Sequence, residues 1–201
     1  HALGEYMFGS GRGIERFMCI AMGTGLGGAL IVDGKPLIID GGNSGNTGLI
    51  ILDPKAPRAS NGIRGSAEGL CGVLGIERLA REGYGQDIPA HEIIAAARDG
   101  DETAVAIMVQ VGTWLGQTLA SLSVIFYPHR IALTGGTASV GAVLLDSCRA
   151  TFDDLVGDFF RDLAANTEGN FRDVEIVLGK GGENAGVIGA AVEILQQHGL
   201  L

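Results

Sequence analysis

The amino-acid sequence predicts an α/β domain. Hydrophobic residues make up 46% of the 201 residues and charged residues 18%, a balance typical of a globular protein with a buried core. Short apolar segments separated by turn residues fill the first quarter of the chain and indicate a β-meander. Helical patterns follow, and the chain then alternates strand, helix, strand and helix. This order predicts helices layered on a sheet.

The first quarter is predicted to contain the end of a helix followed by four strands. Residues 1–8 have the pattern of a helix end, and the glycine-rich stretch after them terminates it. Asp33-Gly34 favours a two-residue hairpin turn, so the segments on either side of it should pair. A polar loop, residues 40–47, separates the third strand from the fourth. The predicted strands are residues 17–22, 29–32, 36–39 and 49–52.

The rest of the chain is predicted to be mainly helical. In residues 140–163 apolar side chains recur every three or four positions, which indicates an amphipathic helix. Gly112, Gly116 and Ala120 form a stripe of small residues that lets another helix approach closely; its partner is either the 140–163 helix or a second copy of the chain. The predicted helices are residues 67–82, 90–98, 102–123, 140–163 and 184–197, and the predicted strands are 129–134 and 174–178.

Charge and cysteine content exclude several classes of protein. The net charge of −9 disfavours binding to nucleic acid or to anionic lipid. Cys19, Cys71 and Cys148 are far apart and odd in number, which argues against a disulfide framework or a zinc cluster and favours a cytoplasmic location. No uncharged apolar run reaches the ~18 residues of a membrane span. The chain begins at His1, and we expect it to be part of a longer protein.

The strongest motif is the glycine loop of residues 22–28, MGTGLGG, which satisfies G-x-G-x-x-G. A dinucleotide-binding loop of that pattern opens a helix, whereas this loop opens the hairpin ALIVDGK, so a Rossmann site is not expected. A glycine loop between two strands can instead bring backbone N–H groups against a phosphate. Thr24 would add a hydroxyl donor. The alternative is a tight glycine hairpin that binds nothing.

A second motif follows the strand at 129–134, where IALT runs into Gly135-Gly136 and then TAS. Backbone without side chains can approach a flat ligand such as adenine, and the N-terminus of a following helix favours anions. The alternative is an ordinary strand–helix turn in which Ser139 caps the helix.

These segments occur in the order seen in the ROK family. The hairpin GTGLGGALIVDGK, the strand–turn IALTGG and the ending AGVIGAAVEIL carry the resemblance over residues 1–195. It implies an actin/hexokinase-like (ribonuclease H-like) ATPase lobe and an ATP-dependent sugar kinase that uses Mg²⁺. By the same resemblance, the phosphates of ATP would lie against Gly23, Thr24, Gly25 and Gly27, and the adenosine against Gly135 and Gly136. Members of this family are commonly dimers, so a homodimer is expected.

Two motifs of the family are altered. The family has a G-E-x-G-H motif, in which the glutamate contacts sugar hydroxyls and the histidine reaches sugar or zinc. This chain has Asn46 and Leu49 at those two positions. Three cysteine positions of the family's structural zinc motif are held by Ala59, Asn61 and Ser66. No structural zinc, and no other protein-bound metal, is therefore expected. The frame G-x-x-G-x-x-E survives and ends at Glu68, so Asn46 and Glu68 are the expected sugar-binding residues; a helix-start role for Glu68 is the alternative.

The resemblance also places the catalytic base, in an Asn-Asp pair, and a first phosphate loop upstream of His1. We therefore expect residues 1–201 to be the C-terminal lobe of a sugar kinase without a catalytic residue of its own, inactive in isolation. Its partners would be a sugar and ATP, with no direct contact to nucleic acid or membrane. The alternative function is a non-catalytic domain that senses sugar or nucleotide, in a ROK-type repressor or a pseudokinase.

Overall fold

The computed structural model describes residues 1–42, 44–169, 171–181 and 185–198. Within them the chain alternates strands and helices in the predicted order. The strands are β1 (Arg16–Met22), β2 (Leu26–Val32), β3 (Lys35–Pro36), β4 (Arg130–Thr134) and β5 (Glu175–Leu178). The helices are α1 (Ala2–Phe8), α2 (Ala67–Cys71), α3 (Val73–Tyr84), α4 (Ala90–Arg98), α5 (Glu102–Phe126), α6 (Ala142–Phe152), α7 (Asp158–Asn166) and α8 (Ala185–Gln197).

The strands form one mixed sheet in the order β3-β2-β1-β4-β5. β1, β2 and β3 are antiparallel neighbours, and β4 and β5 run parallel to β1. The register places Met22 opposite Leu26 across the β1–β2 hairpin and Ala21 beside Thr134 on β4. The carboxyl ends of β1 and β4 therefore lie side by side, at the edge where α/β proteins bind ligands.

Helices cover both faces of the sheet. Alternate side chains of β1 and β4 point to opposite faces, because successive residues of a strand face opposite ways. Met18, Ile20 and Ile131 join a large core formed with helices α2–α6, while Phe17 and Ala132 belong to a smaller core packed under α1. This three-layer packing confirms the α/β prediction.

The central helix α5 uses its small-residue stripe within the chain. A Cβ at Gly112 would lie 2.8 Å from the carbonyl oxygen of Leu144, and one at Gly116 would lie 2.6 Å from that of Cys148. The stripe therefore receives α6, the intrachain alternative. α5 is long and apolar enough to cross a bilayer by length and composition, but it packs against α2, α3, α4 and α6 as a core helix does.

Several predicted boundaries were wrong. The third strand, predicted at 36–39, is only Lys35–Pro36, and one further bond, from the N–H of Leu37 to the carbonyl oxygen of Leu30 at 2.8 Å, follows it. The fourth, at 49–52, is replaced by a 3₁₀ turn at Thr47–Leu49 and one bridge between Ile51 and Ser66.

Two predicted helices are interrupted. The helix predicted at 67–82 breaks at Gly72, where a Cβ would lie 3.0 Å from the carbonyl oxygen of Thr24. The helix predicted at 140–163 begins at Ala142 and has a π-helical turn at Asp153–Gly157. The remaining predicted helices and strands are confirmed to within a few residues; that at 184–197 is seen from Ala185, since residue 184 lies outside the described residues.

Candidate functional site

A cleft of about 760 Å³ opens at the carboxyl ends of β1 and β4. It brings together every residue predicted to bind ATP or sugar except Thr24, although these residues come from four separate segments of the chain. His1 also lines it. The lining residues are His1, Ala21, Met22, Gly23, Gly25, Leu26, Gly27, Gly45, Asn46, Leu49, Asn61, Glu68, Gly135 and Gly136.

The β1–β2 connection, residues 23–25, presents backbone donors at one end of the cleft. The N–H of Gly23 donates to the carbonyl oxygen of Gly25 at 3.0 Å, which closes the turn. In the part of the chain that the structure describes, the N–H groups of Thr24 and Gly25 donate to no protein acceptor. Thr24 is exposed, and its carbonyl oxygen accepts from the N–H of Val73 at 3.3 Å. The turn is thus anchored from behind and offers N–H groups that suit an anion.

Three glycines of the cleft, Gly23, Gly27 and Gly136, have no structural need to be glycine. None has a positive φ, and a Cβ built on each meets no atom within 4 Å. Most glycines elsewhere in the described chain either have a positive φ or lie against a neighbour that a Cβ would strike. Side chains at these three positions would extend into the space of the cleft. Their absence keeps that space open for a ligand to reach the backbone.

Gly25 and Gly135 are glycine for packing reasons as well. A Cβ at Gly25 would overlap the carboxylate of Glu68. Gly135 has a φ of +90°, and a Cβ there would lie 3.0 Å from the backbone nitrogen of Met22. These two glycines let the turn at 23–25 and the turn after β4 pack against their neighbours. Ser139 does not cap α6: its hydroxyl donates to the carbonyl oxygen of Gly136 at 2.6 Å, and Gly141 precedes the helix.

Glu68 joins the glycine turn to the opposite side of the cleft. It lies in the first turn of α2, whose N-terminus is capped by Ser66 through a bond from the N–H of Gly69 (3.2 Å). Its Oε2 accepts from the N–H of Leu26 at 3.1 Å, and its Oε1 accepts from the side-chain amide of Asn61 at 2.8 Å. Both oxygens are therefore held in place while the half-buried carboxylate still faces the cleft.

Asn46 and Leu49 form another part of the cleft wall. Gly48 packs so closely on β2 that a Cβ there would lie 3.2 Å from the Cβ of Leu26. This contact fixes the 3₁₀ turn at Thr47–Leu49, so that the exposed Asn46 and the half-buried Leu49 both line the cleft. The wall consequently offers one amide and one apolar side chain to a ligand.

Residues 58–66, which stand at the family's zinc motif, form a small hairpin held by hydrogen bonds. The N–H of Ala59 donates to the carbonyl oxygen of Ile63 at 2.8 Å, and that of Gly62 to Ala59 at 2.9 Å. Arg58 and Arg64 bridge across its base. Among the described residues, no group of three or more His, Cys, Asp or Glu side chains could hold a metal. The contact between Asn61 and Glu68 was missed from the sequence, where Asn61 counted only as a lost cysteine.

A second carboxylate, Glu5, organises the loop after β5. Its side chain has no solvent exposure and accepts from the N–H and hydroxyl of Ser10 at 2.9 and 2.7 Å and from the N–H groups of Lys180 and Gly181 at 3.1 and 2.5 Å. Burial alone would raise the pKa of Glu5, but these hydrogen bonds outweigh it and hold the pKa below its ordinary value. Glu5 therefore serves as a structural anion outside the cleft.

The cysteines take no part in the cleft. Cys19, Cys71 and Cys148 are free and buried. Burial raises the pKa of Cys19 to about 11 and that of Cys148 to about 12, so both remain protonated thiols at neutral pH. Among the described residues, the cleft thus offers backbone N–H groups, the amides of Asn46 and Asn61, the carboxylate of Glu68 and the N-terminal residue His1.

Comparison with known proteins identifies relatives of the chain. The family model described as ROK family matches residues 1–197. The Thermotoga maritima glucokinase is 29% identical over 98% of this chain and 63% of its own length. The crystal structure of a ROK family glucokinase from Streptomyces griseus in complex with glucose and AMPPNP is 29% identical, with a TM-score of 0.80 over 96% of this chain and 64% of that one. The chain therefore spans less than two thirds of these relatives.

A repressor is also among the relatives. The N-acetylglucosamine repressor of Escherichia coli is 30% identical over 80% of this chain and 42% of its own length. The match to the family model over nearly the whole chain, and the superposition on a ROK glucokinase, confirm the predicted hexokinase-like fold class. The chain belongs to the ROK family.

Proposed function

We propose that this chain is the nucleotide- and sugar-binding lobe of an ATP-dependent sugar kinase, which transfers the γ-phosphoryl group of ATP to a sugar hydroxyl. The observation that carries the proposal is that Gly23, Gly27 and Gly136 line one cleft although neither backbone conformation nor packing requires a glycine at these positions. Glucokinases that resemble the chain along nearly its whole length support the same reaction class.

ATP fits the cleft by the chemistry of its walls. The free N–H groups of Thr24 and Gly25 would receive the β- and γ-phosphates, and the open backbone at Gly136, next to Gly135, would receive the adenosine. Among the described residues one carboxylate, Glu68, lines the cleft, too few oxygen ligands for a protein-held Mg²⁺, which suits a metal carried mainly by substrate phosphates. When bound, Mg²⁺ would neutralise charge on those phosphates; the protein's part is to orient them.

The sugar would lie between Asn46 and Glu68. Because both Glu68 oxygens already accept hydrogen bonds from the protein, we assign this carboxylate to binding sugar hydroxyls and not to removing a proton. Leu49 replaces a polar group on the same wall. The base, as the resemblance implies, belongs to the family's Asn-Asp pair upstream of residue 1.

Domain organisation, location and assembly follow as parts of this proposal. We assign residues 1–201 to the C-terminal lobe of a two-lobed enzyme, which the 63% coverage of a glucokinase supports. Three buried free thiols support a cytoplasmic location.

We also propose that the protein self-associates as a homodimer. The glycine stripe of α5 does not support this proposal, because α6 of the same chain packs against it. The proposed homodimer rests on a separate groove of about 450 Å³ lined by exposed apolar side chains, Val124 on α5 together with Ile51 and Leu155.

A sensing domain is the second candidate function. The observations that favour it are Asn46 and Leu49 in place of two sugar-binding residues of the family, and the resemblance to a repressor. Such a domain would bind sugar or nucleotide without turnover.

A coupled assay of ADP release with a panel of hexoses, amino sugars and N-acetylated sugars separates the two functions. We expect sugar-dependent ADP release by the intact protein. Phosphorylated sugar should be detected by mass spectrometry, and Glu68→Gln should raise the KM for sugar more than it lowers kcat. Binding of sugar without any phosphorylated product would refute the kinase and favour the sensing domain.

A further inference from the structure

Asn61 lies in the cleft in a fixed orientation. Its Nδ2 donates to Oε1 of Glu68 at 2.8 Å, and its Oδ1 accepts from the N–H of Ile63 at 2.9 Å. Exchanging the two amide atoms would set donor against donor at Ile63 and acceptor against acceptor at Glu68. The two bonds together therefore allow one orientation, in which Asn61 offers an N–H group to the carboxylate.

The hairpin that carries Asn61 is tightly tied. Besides the Ala59–Ile63 and Gly62–Ala59 bonds, Nη1 of Arg58 donates to the carbonyl oxygen of Gly62 at 2.6 Å. Nη1 of Arg64 donates to the carbonyl oxygen of Ala56 at 3.1 Å. Asn61 thus stands at the tip of a braced loop, and its position is set by the loop.

The contact extends through Glu68 to the glycine turn. Oε2 of Glu68 accepts from the N–H of Leu26, and the carboxylate lies where a Cβ of Gly25 would be. A rotation of the carboxylate away from Asn61 would therefore also disturb its bond to Leu26 and its contact with Gly25. One chain of contacts joins the loop 58–66, the sugar side of the cleft and the phosphate side.

We propose that Asn61 is a positioning residue for the reaction proposed above, on which this inference rests. It aims the carboxylate of Glu68 so that the same group braces the phosphate-binding turn and faces the sugar. Asn61 stands where the family motif has a cysteine, and in this chain its side-chain amide makes the loop 58–66 part of the cleft.

One substitution should break the contact between Asn61 and Glu68 while leaving the loop 58–66 intact. In Asn61→Asp, one carboxylate oxygen still accepts from the N–H of Ile63, but the other faces Oε1 of Glu68 and repels it. Adding Glu68→Gln restores the bond in the opposite direction: the introduced glutamine amide would donate to the introduced aspartate, and its oxygen would still accept from Leu26. Asn166→Asp, an exposed asparagine on α7 outside the cleft, is the matched control for the charge change.

The experiment measures the affinity of the intact protein for AMPPNP by calorimetry and its KM and kcat for the sugar, together with the melting temperature. We expect Asn61→Asp to weaken nucleotide binding about fivefold, within the range of coupling between contacting residues, and to raise the sugar KM more than it lowers kcat. The double variant should recover nucleotide affinity, and Asn166→Asp should match the wild type. The melting temperature of Asn61→Asp should stay near that of the wild type.

Two results overturn the inference while the proposed function stands. One is an Asn61→Asp variant with wild-type nucleotide affinity and sugar KM. The other is a lowered melting temperature with no recovery in the double variant, which would show that Asn61 only stabilises the loop. If the wild type itself binds no AMPPNP and phosphorylates no sugar, the proposed function fails and this inference fails with it.

Discussion

Gly27→Val tests whether the glycine turn binds phosphate, because it should weaken nucleotide binding without lowering the stability of the protein. Gly27 lies on β2 opposite Ala21 and lines the cleft. A Cβ there meets no atom within 4 Å, and its φ is not positive. Valine suits a strand, and glycine inside a strand costs roughly 0.5–1 kcal/mol relative to alanine. The variant should therefore fold at least as stably as the wild type.

Nucleotide binding should change in the other direction. The isopropyl group would extend into the space beside the N–H groups of Thr24 and Gly25, which we propose bind the phosphates. We expect the Kd for AMPPNP to rise at least tenfold, which corresponds to about 1.4 kcal/mol. Calorimetry gives the Kd, and thermal unfolding without ligand gives the stability. Ala29→Val, on the same face of β2 but outside the cleft lining, is the control and should leave the Kd unchanged.

Gly25→Val differs from Gly27→Val in its expected effect on stability. A Cβ at Gly25 would overlap the carboxylate of Glu68, so this variant should lose both nucleotide affinity and stability. Gly27→Val should lose affinity alone. An unchanged Kd in a folded Gly27→Val protein would refute the argument that the open glycines reserve space for phosphates.

The remaining predictions concern stability, metal and assembly. Glu5→Gln should lower the free energy of unfolding by about 1–3 kcal/mol, since an amide cannot accept from all the donors that meet the carboxylate; a melting temperature equal to that of the wild type would contradict this. Because the pKa of Glu5 in the folded state lies below its ordinary value of 4.5, its contribution should be complete above about pH 4.5 and should be lost as the pH falls through the folded-state pKa, a loss that Glu5→Gln should lack. Elemental analysis of dialysed protein should find no stoichiometric zinc, because Ala59, Asn61 and Ser66 supply no thiolate; one zinc per chain would disprove it. Light scattering at low micromolar concentration should give the mass of a dimer, and a sharp monomer would refute self-association.

Short-range signals predicted the elements that form the cleft. The apolar segment before Gly23 and the segment before Gly135 are central, buried strands, so their hydrophobic runs identify them without reference to the rest of the chain. Asp33-Gly34 forms the predicted hairpin turn because both residues take a positive φ, 49° and 79°. These local features place the glycine turn and Gly135-Gly136 at one edge of the sheet.

The errors arise where contacts between distant segments decide the local structure. Gly72 interrupts a predicted helix because the carbonyl oxygen of Thr24, far away in the sequence, lies against it. The contact between Asn61 and Glu68 joins residues only seven positions apart, but it depends on the folding of the loop 58–66, and an asparagine at a lost cysteine position gives no sign of it. Periodicity and turn propensity report neither kind of contact.

The glycines show most clearly what the structure adds. Thirty-four of the 201 residues are glycine, and each could equally serve a turn, a close packing contact or a ligand. The structure separates these uses. Gly135 needs its positive φ, and Gly112 needs the space that α6 occupies. Gly23, Gly27 and Gly136 need neither, yet they line the same cleft, and a ligand that approaches the backbone is the physical reason left for a glycine at each of them.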